Sequence, residues 1–399
     1  MSAAGAKDDT IYLDHAATTP VDPDVLAVML PYFSERFGNP SSIYRLGQEG
    51  RAALDQARGS IAEILGCAPA EIVFTGGATE SDNLALAGVA WRRRDTQPAD
   101  AMPPHVLTTA IEHHAVLHAA EQLVRRGFAV TFVQPDADGI VGADAVAAAI
   151  RPETCLISVM YANNETGAIQ PVAAISALAK ARGIPFHIDA VQAAGLLPLR
   201  VDDLGADLLS LSAHKFYGPK GVGLLYVRRG TPIEFQQLGG GQEDGRRGGT
   251  ENVPGIVGMA AALEKAIWLR DAYATHCAGL RDRLLDGLRE AMPDLVVNGP
   301  LAPDKRLPNN LNVAIPGVQG ETALLSLDME GVAASAGSAC TTGNAEPSHV
   351  LRAMGLSDEL CRASLRFTVG RDNTMNEIDE TIDIVSDVAS RIRGLAGVA

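Results

Sequence analysis

The chain has 399 residues, 47% apolar and 20% charged, with a formal net charge of −15 at pH 7. That length exceeds one ordinary core, so two domains are expected, and the composition is that of a soluble globular protein. The acidic balance argues against a surface built to neutralise nucleic-acid phosphates, and no apolar run approaches the roughly 18 residues a membrane span needs.

The start, MSAAGAKDDTIYLDHAATTP, has no charged-then-apolar leader, so no export signal and a cytoplasmic location are expected. From about 50 to 230 two periods alternate. Short runs with β-branched residues read as strands: EIVFT at 71, HVLTTA at 105, AVTFV at 129, CLISVMYA at 155, PFHIDA at 185, DLLSLSA at 207 and GLLYV at 223. Amphipathic stretches such as RAALDQARGSIAEILG at 51 and PVAAISALAKARG at 171 separate most of them. This alternation predicts an α/β fold with a mixed, mostly parallel sheet covered on both faces. The interval between 207 and 223 is too short for a crossover helix, so an antiparallel edge is expected there. A Gly-rich break, LGGGQEDGRRGGTENVPG, covers 238–255. Beyond it come a long helical pattern over 256–292, short strand patterns at 309, 331 and 364, and a final helix from about 375. The expected division is a large domain over 16–255 and a smaller α+β domain from 1–15 and 256–399.

Five segments carry chemistry. In SAHKFYGPKG, Lys215 follows a very apolar strand. An ammonium there is costly unless paired or neutralised, and a Schiff base to a carbonyl cofactor consumes it. In PFHIDAVQAAG, Asp189 ends another apolar strand, where a carboxylate can keep a pyridine nitrogen protonated or cap a helix; Gln192 lies three residues on. TGGATESDNLAL runs a strand through two glycines into Ala78, Thr79 and a helix, a weak signal for a phosphate cradle. AIEHHAVL opens a helix with His113 and His114, suited to stacking on a flat ring or moving protons. A metal site on His114 and His118 has the right i, i+4 spacing but no third ligand.

The fifth segment, ASAGSACTTGN, sets Cys340 among small residues, a setting expected of an exposed loop and of a moving nucleophile. Cysteines 67, 155, 277, 340 and 361 are odd in number and widely spaced, so neither a disulfide framework nor a structural zinc site is expected. SLRFTVG places Arg366 on a strand, where its fork can clamp a carboxylate or make a surface ion pair.

Taken together, YLDHAATTPVDP, FGNPSS, TGGATESDN, EHHAVL, NNETG, HIDAVQ, SAHKFYGPKG, RGGTEN, SAGSACTT and ASLRFTVGR stand in an order that resembles the group I cysteine desulfurases of the NifS/IscS type. These are fold-type I, class V aminotransferase-like enzymes that use pyridoxal 5′-phosphate. The resemblance implies that Lys215 bonds the cofactor and later acts as general base. Asp189 would pair with its ring nitrogen, and Gln192 and Asn164 would meet its O3′ side. Ala78, Thr79, Ser212 and His214 would hold the phosphate, joined by Thr250 of a second copy in a homodimer. His113 would stack on the ring and help move protons. Arg366, with Asn164, would bind the substrate carboxylate, and Cys340 would take the sulfur.

The implied reaction removes sulfur from L-cysteine, leaves L-alanine and a persulfide on Cys340, and hands the sulfur to an acceptor protein such as an iron–sulfur scaffold. Cys340 is also a candidate transient ligand of a nascent cluster, with no metal otherwise expected in the free enzyme. A selenocysteine lyase or aminotransferase of the same fold is the nearest alternative, and a non-catalytic partner-binding scaffold is a different one. Three positions depart from the family pattern: Tyr44, Ala336 and His15.

Overall fold

The structure is a computed structural model that describes residues 10–336 and 346–396. Cys340 lies outside the described residues. Twelve strands order the described chain. They are β1 (Ile11–Tyr12), β2 (Ile72–Thr75), β3 (His105–Thr109), β4 (Ala129–Val133), β5 (Thr154–Met160), β6 (Phe186–Asp189), β7 (Leu208–Ser212), β8 (Gly223–Val227), β9 (Val296–Asn298), β10 (Asn310–Ala314), β11 (Val332–Ala333) and β12 (Ser364–Thr368).

Seven of them form one sheet in the order β2-β8-β7-β6-β5-β3-β4. Strands β3 to β7 pair in parallel, and β8 runs antiparallel to both of its neighbours. All seven residues of β5 are buried, which explains why its sequence is a continuous apolar run: helices cover both faces of a parallel sheet. The antiparallel turn-back after Ser212 occurs as expected, but β8 is not the edge. The segment Ile72–Thr75 pairs along its far side, and Leu224, Leu225 and Tyr226 are fully buried. An interior place suits GLLYV, which has no charged residue to protect an open edge.

A second, antiparallel sheet has the order β12-β10-β9, and β1 pairs with β11 beside it. The helix Val253–Ala291 joins the two regions. At 39 residues it is about 58 Å long at 1.5 Å per residue. Ile256, Met259 and Leu263 pack in the core of the large sheet, whereas Cys277, Leu280, Leu284 and Leu288 pack in the core around β10 and β12. The expected boundary at 255 therefore falls inside this helix, whose first turns belong with the large core. Val350, Leu351 and Cys361 also pack there. Among the described residues, no helix is long and apolar enough to cross a membrane.

Candidate active site

In a parallel sheet the strands' carboxyl ends face one side, and ligands bind where the strand order reverses. Here β3 is followed by β4 on one flank and β5 on the other. A cavity of about 1010 Å³ opens at those ends. Its wall brings together Ala78, Thr79, His113, Asn164, Asp189, Gln192, Ser212, His214, Lys215 and, from the second sheet, Arg366. Of the expected site residues in the described chain, only Thr250 is absent from this wall; it is exposed on the loop before the long helix.

Lys215 lies in the short turn after β7. Its Nζ donates to the carbonyls of Ala16 and Ala17, both at 2.6 Å. Burial, and then the positive charge of Arg366, push its pKa down to about 8. About a tenth of the amine is therefore neutral at pH 7, where an ordinary lysine has less than a thousandth. Asp189 ends β6, and one carboxylate oxygen accepts from the Val191 N–H at 3.0 Å. Burial raises it to about 6, opposed by that N–H and by Lys215. The Gln192 amide donates to the Ala16 carbonyl at 3.0 Å, so the segment 16–17 is pinned from two sides.

The glycine turn between β2 and the helix Ala78–Thr96 is forced by close approach. Gly77 has φ +152°, a region L side chains avoid, and a side chain at Gly223 would meet the Gly77 backbone at 2.7 Å. The turn leaves the first N–H groups of a 19-residue helix facing the cavity mouth, beside Ser212, His214 and Thr79. The Gly76 N–H is taken by Glu80 at 2.6 Å, and Glu80 is held by Arg247 at 2.9 Å. His214 shares a hydrogen bond with the Thr18 hydroxyl at 3.1 Å, and burial followed by Lys215 lowers it to about 4, so it serves as a neutral ring.

His113 caps the helix His114–Arg125, its Nδ1 accepting from the Ala115 N–H at 3.1 Å. That fixes the neutral tautomer with the proton on Nε2. Its surface is open to the cavity, yet protein crowds the ring on its other sides. This desolvation, and then Lys215, depress its pKa to about 4.

Arg366 is 4% exposed. Its Nη1 donates to the Asn164 carbonyl at 2.9 Å, and its Nη2 meets Asp14 at 2.6 Å. The ion pair is thus buried at the cavity wall instead of lying at the surface. His15, one of the departures, is buried with Nδ1 3.0 Å from the Thr368 carbonyl.

Asp82 also lines the cavity, and with His187 it forms a group that the motifs did not reveal. Asp82, one turn into the glycine-capped helix, is buried, with Oδ1 unpartnered and 3.6 Å from Nε2 of His187. His187 is bracketed by Ser158 at 2.8 Å and Ser210 at 3.0 Å, and burial holds it neutral with a pKa near 3. Burial, then the charge of Asp189, raises the Asp82 pKa well above its ordinary value. Asp14 and Asp82 were both legible as acidic residues within YLDHAATT and TESDN, but neither spacing said that they face Arg366 or His187.

These groups suit the cofactor that the motif resemblance implies. The glycine turn offers N–H donors to a phosphate, Asp189 offers a carboxylate on the same cavity, and Lys215 offers a partly neutral amine.

The aminotransferase class-V family model matches residues 11–381. "Cysteine desulfurase IscS" of Dictyoglomus turgidum is 45% identical over 386 residues, covering 97% of this chain and 96% of that protein. The protein of the same name from Methanosarcina thermophila is 46% identical over 390 residues, with 98% and 94% covered. Among solved structures, a "NifS-like protein" aligns with a TM-score of 0.88 at 37% identity, covering 96% of this chain and all (100%) of that one. "SspA in complex with cysteine" aligns with a TM-score of 0.79 at 37% identity over 92% of this chain and 100% of that one.

Proposed function

The chain belongs to the aminotransferase class-V family, and on that premise we propose that it is a pyridoxal-phosphate-dependent cysteine desulfurase that moves sulfur from L-cysteine to Cys340. The observation that carries this reading is the meeting of Lys215, Asp189 and Arg366 on one cavity, an amine, a buried carboxylate and a carboxylate clamp contributed by both sheets.

When bound, the cofactor supplies an electron sink that acidifies the substrate's Cα–H. Asp189 would pair with its ring nitrogen and keep a positive charge there. Ala78, Thr79, Ser212 and His214 would hold its phosphate, and Gln192 and Asn164 would meet its hydroxyl side. Lys215, poised near pH 8, accepts the proton from the substrate's Cα and returns one. His113 bounds the cavity opposite the sheet and carries its proton on Nε2. Arg366 and the Asn164 side chain position the substrate carboxylate.

The Cys340 thiolate attacks the substrate sulfur. The C–S bond breaks, its electron pair and a proton go to the β-carbon, and an S–S bond forms on Cys340. L-Alanine leaves, and the sulfur passes on by thiol exchange to an acceptor protein such as an iron–sulfur scaffold. The exposed Thr250, on a loop braced by Arg247 and Glu80, fits a homodimer in which it completes the partner's phosphate site. Residues 16–255 form the cofactor-binding part of this reading, with the long helix connecting it to the part that leads to Cys340.

The test is mass spectrometry after exposure to L-cysteine, with peptides mapped. A sulfur adduct on the Cys340 peptide, and borohydride reduction that tags Lys215, are the expected results. An adduct elsewhere, or cofactor trapped on another amine, refutes the assignment.

A further inference from the structure

Arg366 is not free to receive a carboxylate. Its Nη2 is 2.6 Å from Asp14 Oδ1, its Nη1 donates to the Asn164 carbonyl at 2.9 Å, and its Nε is buried with no partner. Access is therefore through the Nη edge, where both nitrogens are already engaged. Asp14 is held in place by its backbone, which bridges to Thr368 two residues along β12 and whose carbonyl accepts from the Tyr12 hydroxyl at 3.0 Å. Its side chain is 18% exposed against 5% for Arg366, so it is the more solvent-accessible member of the pair. Both residues line the cavity. Among the described residues, Arg366 is the cation in ion-pair contact with Asp14.

We propose that Asp14 is a positioning residue that occupies Arg366 until the substrate's carboxylate arrives, so that substrate binding exchanges one carboxylate for another on the same guanidinium. The inference rests on the reading of Arg366 as the carboxylate clamp. A buried arginine without a partner is costly, and a resident carboxylate holds the fork in place in the empty site. The resident must also be the weaker partner of the two. Asp14 meets the fork through a single oxygen, whereas an incoming carboxylate can take both Nη positions. The displaced Asp14 then turns to the solvent side of the cavity, carrying its charge away from the bound substrate. Such an exchange lowers apparent affinity and favours ligands able to make the two-point contact.

The probe is propionate, a carboxylate with no amine, measured as a competitive inhibitor of L-cysteine turnover by the cofactor-loaded enzyme. Asp14→Asn is expected to tighten propionate by about tenfold and to lower the KM for L-cysteine with kcat within about threefold, since a close buried charge pair no longer has to be broken. Arg366→Gln is expected to abolish propionate inhibition. Unchanged or weaker inhibition in Asp14→Asn, with inhibition lost in Arg366→Gln, overturns the role of Asp14 while leaving the clamp intact. Inhibition that persists in Arg366→Gln overturns the clamp itself. Should Asp14→Asn fail to fold, a crystal structure of the unaltered enzyme with propionate decides: Asp14 must have left Nη2, and a bound carboxylate beside an intact Asp14–Arg366 pair refutes the exchange.

Discussion

Replacing Glu112 by Gln is expected to stabilise the fold at neutral pH and to leave it unchanged near pH 4. Glu112 follows β3 and is fully buried. One oxygen, Oε1, accepts from the Thr109 hydroxyl at 2.7 Å and from the Met160 N–H at 3.0 Å, while Oε2 is buried without a partner. Burial raises its pKa from the ordinary 4.5 to about 8, against those two hydrogen bonds. Between these values the folded chain holds a proton that the unfolded chain has released. Stability therefore falls as pH rises from 4.5, and it stops falling above 8. The loss is about 1.4 kcal/mol per pH unit, or about 3 kcal/mol by pH 7.

A glutamine keeps both accepted hydrogen bonds and has no proton to hold. Its Nε2 replaces an equally unpartnered protonated oxygen, so the local hydrogen-bond cost is nearly the same in both chains. Urea unfolding of the two proteins from pH 4 to pH 9 should give a difference close to zero at pH 4, near 3 kcal/mol at pH 7, and level above pH 8. A difference that does not change between pH 5 and pH 8 refutes the account of Glu112 as a buried neutral acid.

Cofactor capture by the empty chain should speed up through a midpoint near pH 8, because Lys215 must be neutral to attack; stopped-flow absorbance with a midpoint above 10 refutes the depressed lysine. Arg366→Lys keeps the charge but loses the planar fork, so kcat/KM for L-cysteine should fall about 10- to 100-fold, mostly through KM, in steady-state kinetics. Gly77→Val forces a β-branched residue to φ +152°, and should leave a protein that loses cofactor absorbance on dialysis.

Much of this fold was readable because a covered parallel sheet writes itself as apolar runs, and β2 to β8 all lie within one or two residues of those runs. The interior place of β8 was not readable, because strand order depends on which distant segment pairs alongside, and nothing in GLLYV names Ile72–Thr75 as its neighbour. The site was legible where a side chain ends a strand: Asp189, Ser212 and Lys215 sit where their runs stop, and the strand ends of a parallel sheet converge. Arg366 was legible as a candidate only. Its meeting with Asp14 joins residues 352 positions apart and depends on how β1 and β12 dock. The Asp82–His187 group was silent for a different reason. Asp82 and His187 look like an ordinary helix residue and a strand histidine, and only full burial makes their protonation consequential.

The charge pattern around the cavity explains why so many acids can be buried in one place. Asp82, Glu112 and Asp189 are all fully buried, and three carboxylates ionised together in low dielectric would repel strongly. Burial resolves this by keeping Glu112 protonated near neutrality and by raising Asp82 in the same direction, with His187 uncharged between Ser158 and Ser210. Asp189 accepts an N–H from Val191, as Glu112 does from Met160, but of the three it is the one that feels the ammonium of Lys215, which favours its charged form. It therefore ionises more readily than Glu112, and it stands at the end of β6 on a cavity wall that Asp82 also lines. A pyridinium at Asp189 would extend this arrangement, because a positive ring nitrogen pulls the Asp189 pKa down further. Loading the cofactor should then hold Asp189 in its charged form over a wider pH range, while Glu112 remains neutral near pH 7.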